Sequence, residues 1–64
     1  MEEIEVIEIT NKMIDNFKVY NLTEDESIEC SIYSVNLLLN NIEYGTLMYE
    51  KYSNVKRQLL KRLI

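Results

Sequence analysis

The sequence predicts an all-α fold, a small three-helix domain or a helical hairpin with an N-terminal helix, that pairs with a second copy of itself. Three observations predict it. The 64 residues include no proline and one glycine, so few turns are forced. Apolar residues recur at spacings of three and four through three segments. Each break between segments carries a threonine placed to cap the helix that follows.

The first segment runs from Glu2 to about Tyr20. Val6, Ile9, Met13, Phe17 and Tyr20 form one helical face, with Thr10 and Ile14 beside it. Glu8 and Lys12 make an i,i+4 pair in the favourable order. A strand over residues 2–9 competes, because Glu3-Ile4-Glu5-Val6 alternates and β-branched residues are dense there. Ile7 directly after Val6 breaks the alternation and favours the helix.

Asn21-Leu22-Thr23 is the first break. Thr23-Glu24-Asp25-Glu26 has the form of a capping box, in which the threonine hydroxyl and the glutamate carboxylate each satisfy a free N–H. The second helix is expected from Glu24 to about Tyr44. Its main stripe is Ile28, Ile32, Val35, Leu39 and Ile42, with Leu38 alongside. Cys30, Tyr33, Leu37 and Tyr44 form a second stripe about 170° away, flanked by Asn36 and Asn40 on one side and Ser27 and Ser34 on the other. A surface helix ordinarily shows one apolar stripe. Two stripes call for cover on two sides.

Gly45 suits the left-handed position just after a helix. Thr46 then caps a third helix, Leu47 to Leu63, with an apolar face of Met48, Tyr52, Val55, Leu59 and Leu63. A single helix over residues 24–64 is the alternative, since glycine costs only about 1 kcal/mol inside a helix. Ser31, Gly45 and Lys56 interrupt the heptads that a long coiled coil would need.

Residues 1–64 read as one domain. Apolar residues at 47% and charged residues at 28% match globular usage and exclude a disordered acidic tail. So short a chain buries little, and such scaffolds lean on disulfides, metals or oligomerisation. One cysteine makes no internal disulfide, and no Cys/His cluster forms a zinc site. A homodimer is therefore expected. No apolar run is long enough to span a membrane, and the acidic start and single cysteine point to the cytoplasm. Abundant Ile, Asn, Tyr and Lys without alanine suggest an AT-rich source, such as a phage or other mobile element.

Little could carry chemistry. Histidine is absent, and Cys30 sits mid-helix, where it reads as a packed thiol rather than a nucleophile. Neither a cofactor nor an enzymatic activity is expected. Charge is sharply divided: all eleven acids lie within residues 1–50, against Lys12 and Lys18, whereas residues 51–64 hold only bases. Lys51, Arg57, Lys61 and Arg62 form a charged contact face, expected to meet acids of the first helix, a second chain or a bound anion. Glu5, Glu8 and Asp15 share the outer face of the first helix. Cys30, Tyr33, Leu37, Tyr44 and Tyr49 are the candidate partner interface, because tyrosine rings with polar tips suit such surfaces. The expected function is a small protein-binding regulator, inhibitor or adaptor. The alternative is a dimeric DNA-binding regulator using the basic third helix, which the sequence pI of about 4.6 disfavours.

Overall fold

A computed structural model describes residues 3–63, which form α1 (Glu3–Lys18), α2 (Glu24–Asn41) and α3 (Leu47–Leu63). Glu2, read above as part of the first helix, lies outside the described residues. No strand occurs among the described residues. Val6, Thr10 and Ile14, spaced by four, are all buried on α1. Such spacing lines one face of a helix, and Glu8 and Lys12, which a strand would place on that same face, are exposed.

The buried line on α1 is rotated from the expected one. Ile9 and Met13 are only partly buried beside it. Thr10 takes the central place because its Oγ1 donates to the Val6 carbonyl at 2.8 Å. The hydroxyl is satisfied inside its own helix and can leave water. α1 also ends before Tyr20. The N–H groups of Tyr20 and Asn21 donate to the carbonyls of Phe17 and Lys18, three residues back, both at 3.1 Å. Asn21 then reverses the chain with φ 64°, a conformation asparagine tolerates well. Tyr20 leaves the helical face and is 72% exposed.

α2 starts as expected. The Glu26 N–H donates to Thr23 Oγ1 at 3.1 Å, and the Thr23 N–H donates to Glu26 Oε1 at 2.8 Å. Its buried line includes Ser27 and Ser31 besides Ile28 and Val35. The Ser31 hydroxyl donates to the Ser27 carbonyl at 2.8 Å, whereas Ser27 Oγ is buried with no hydrogen-bond partner. Ile32 and Leu39 pack against the core from its edge, and Leu38 is exposed.

α2 ends at Asn41, short of the expected Tyr44. The Asn41 side chain donates to the Leu37 carbonyl at 2.8 Å, and Ile42 is already extended. A side-chain amide that binds the last turn's carbonyl competes with continued helix. Gly45 is therefore not the residue that closes α2. With φ 87°, it is the third residue of a turn in which the Thr46 N–H reaches the Glu43 carbonyl at 3.4 Å. Thr46 caps α3 as expected, accepting from the Tyr49 N–H at 3.2 Å. A continuous helix over residues 24–64 would be about 60 Å long. The longest dimension of the molecule is 35 Å, because α3 folds back onto α2.

Each helix packs on both others. Val6, Ile14, Ile28, Val35, Val55 and Leu59 form the core, with Ile9, Met13, Ile32, Leu39, Tyr52 and Leu63 around them. Met48, expected on the apolar face of α3, is half exposed. No described helix is long and apolar enough to cross a membrane.

Two substitutions test this arrangement. Ser27→Ala should raise stability by about 0.5–1 kcal/mol, since it removes an unpaired buried hydroxyl and adds a better helix former. A lowered urea midpoint would show that the hydroxyl is satisfied. Thr23→Ala should cost about 1 kcal/mol through loss of the cap. An unchanged midpoint would place the start of α2 elsewhere.

Candidate partner-binding surface

Phe17 from the last turn of α1, Leu22 from the connection, and Glu26, Glu29, Cys30, Tyr33 and Ser34 from α2 line one open groove. The α2 residues are spaced by three and four, so a single helical face supplies them. The groove exists because α1 stops at Lys18 and the chain swings away through residues 19–23. A neighbouring depression shares Phe17 and Ser34 and adds Met13, Asn16, Val19 and Tyr20. Together they form one largely apolar surface centred on Phe17. Neither α1 nor α3 covers it, for Val19, Tyr20 and Tyr33 are all more than two-thirds exposed. Leu37, one turn beyond Tyr33, is 49% exposed and continues the same side of α2. Cys30 is a free, half-buried thiol opening into the groove, rather than the packed core thiol expected.

Charge at this surface has one sign. Glu26 and Glu29 are in the lining, and no basic residue is. Lys18, the nearby cation, pairs with Glu24 at 3.5 Å. The Thr23 backbone N–H, then its hydroxyl, hold the Glu26 carboxyl below the ordinary glutamate value of 4.5. Glu26 is therefore ionised throughout the neutral range.

Tyr44 and Tyr49 do not join Cys30, Tyr33 and Leu37. Because α2 ends at Asn41, Tyr44 leaves the helical series that placed it beside Leu37. It is 83% exposed and meets Tyr49 edge to face, with ring centroids 5.0 Å apart. This pair lies in a groove with Glu50, Ser53, Asn54 and Arg57, which shares no residue with the groove around Phe17.

The basic residues of α3 also separate. Lys51 pairs with Glu5 of α1 at 2.5 Å. That hydrogen bond raises the Lys51 ammonium above its ordinary value of 10.5, against the opposing effect of burial. Glu5 thereby faces α3 as well as solvent. Arg57 and Lys61 line a depression with Glu3, and among the described residues they and Arg62 make no ion pair. No group of three or more metal-ligating side chains occurs among the described residues.

No protein-family model, curated protein or solved structure matches this chain. The surface therefore has to be read from its own chemistry, which offers apolar contact and a negative rim. Phe17, Val19 and Leu22 were missed as surface residues because a regular helix through Tyr20 directs Phe17 into the core. The Asn21-Leu22-Thr23 break is the signal that takes Val19 and Leu22 out of the helix, whereas Phe17 remains in α1 at the edge of the core.

The capping box next to the groove should leave a pH signature. A carboxyl whose folded pKa is depressed stabilises above its unfolded value, and that stabilisation is lost as pH falls through the folded pKa. The difference in thermal midpoint between the wild type and Glu26→Ala should be largest at neutral pH and shrink below pH 4.5. A difference that stays constant on acidification would remove the carboxylate from the cap.

Proposed function

We propose that this chain is a non-enzymatic protein-binding regulator, inhibitor or adaptor that works in the cytoplasm through helical interfaces and pairs with a second copy of itself. The observation that supports it most is the exposure of Tyr33 and Leu37 on α2, continuous with the apolar surface around Phe17. Fully burying one such side chain is worth about 1.5–3 kcal/mol, so the uncovered face is a driving force for association. A six-residue core in so short a chain also gains from added burial.

A second function has a specific observation behind it. Arg57, Lys61 and Arg62 make no ion pair among the described residues, and a basic helix of this kind can meet phosphates. The sequence pI of about 4.6 and the acidic α1 work against affinity for DNA.

Capture from host cytosol, compared between wild type, Tyr33→Glu and Leu37→Glu, tests the proposal alongside sedimentation of each protein. One protein partner should be captured by the wild type and lost from both variants. The wild type should sediment as a dimer and Leu37→Glu as a folded monomer. A monomeric wild type overturns the self-association, and a partner retained by both variants overturns the α2 face. Duplex DNA binding that weakens steeply with salt would favour the basic helix instead.

A further inference from the structure

We infer that the groove around Phe17 receives a basic amphipathic helix from a protein partner, an inference that rests on the protein-binding function proposed above and names the chemistry of its target. Three observations converge on that occupant. The floor is apolar and continuous, running from Val19 and Tyr20 across Phe17 to Leu22, Cys30 and Tyr33. The groove's carboxylates, Glu26 and Glu29, face no cation within its lining, and Lys18 is held by Glu24. Lysines or arginines flanking an apolar stripe would complete these charges and steer the approach. The groove is also built from helices and their connection, so it presents side chains rather than a strand edge. An extended segment laid there would gain no backbone pairing, whereas a helix brings its own backbone hydrogen bonds.

The pairing proposed above centres on Leu37, outside the groove lining, and a second copy of this chain fits the groove itself poorly. Its basic helix, α3, spends Val55 and Leu59 in its own core. The large apolar residues that α3 leaves exposed, Leu47, Met48 and Leu60, lie at its two ends and form no continuous stripe. A different protein must supply the complementary helix.

The test uses a synthetic peptide of about 15 residues, long enough for a helix, with leucine on one face and lysine on the other. A leucine/glutamate peptide of the same pattern is the control. The rate of Cys30 modification by a thiol reagent, read with amide chemical shifts, reports occupancy of the groove. The leucine/lysine peptide should slow Cys30 modification and shift residues around Phe17, Leu22 and Tyr33. Glu29→Lys and Tyr33→Ser should each weaken it by about tenfold, while Leu60→Ser on α3 should leave it unchanged. Tyr33→Ser alters no charge, so its effect separates seating in the groove from general attraction to an acidic protein. Equal binding of the leucine/glutamate peptide, no protection of Cys30, or shifts confined to α3 would overturn the inference. If the peptide fails while Tyr33→Glu still abolishes capture of a cellular partner, protein binding stands and the basic helix does not.

Discussion

Val6 and Ile14 from α1, Ile28 and Val35 from α2, and Val55 and Leu59 from α3 bring the three helices to one centre. Much else in the molecule depends on how few they are. Helices of 16, 18 and 17 residues are marginal in isolation, and their stability comes chiefly from packing one face. With so small a core, hydroxyl residues have to be buried as well, and they are used economically. Thr10 and Ser31 turn their hydroxyls back onto their own helices. Ser27 does not, and it carries the cost of an unpaired buried group. The small core also decides what is left outside. Once α1 and α3 have packed on α2, the side bearing Tyr33 and Leu37 has no further helix among the described residues to meet it.

What could be read from the sequence follows from how local its cause is. The caps at Thr23 and Thr46 were legible because each depends on a threonine and a backbone N–H three residues on. The end of α2 was not. Apolar periodicity carries smoothly past Asn41 to Ile42 and Tyr44, and the side-chain bond that stops the helix leaves no trace in that period. The error travelled into the candidate site, since Tyr44 was placed by extending a helix that had already ended. Cys30, Tyr33 and Leu37 sit well inside α2, and there the helical spacing placed them correctly on one side. Phe17 and Tyr20 show the opposite failure. Both continue the α1 pattern in sequence, yet Tyr20 is carried to the surface where the chain leaves the helix at Lys18, and Phe17, still within α1, is half-buried outside the core.

The division of charge along the chain is partly resolved within the fold. Lys51 meets Glu5, and Lys18 meets Glu24, each joining neighbouring parts of the structure. Surface pairs of this kind contribute little to stability, typically less than about 1 kcal/mol. Their consequence lies in what they remove. With Lys18 engaged, the rim around Phe17 is left negative. With Lys51 engaged, the positive charge of α3 that is unpaired among the described residues is concentrated in its C-terminal half, at Lys56, Arg57, Lys61 and Arg62.

The five-residue connections between helices, 19–23 and 42–46, bear on how the chain reaches its fold. Short connections keep most contacts between neighbouring elements, and topologies rich in local contacts fold in microseconds to milliseconds. No proline is present to add the slow isomerisation phase that takes tens of seconds. Nor does any disulfide have to form before the native state is complete. Folding on that timescale is brief compared with synthesis, at about 5–20 residues per second. The apolar surface around Phe17 would thus be assembled almost as soon as the last helix is free to dock. Its formation waits on neither a proline isomerisation nor an oxidation step.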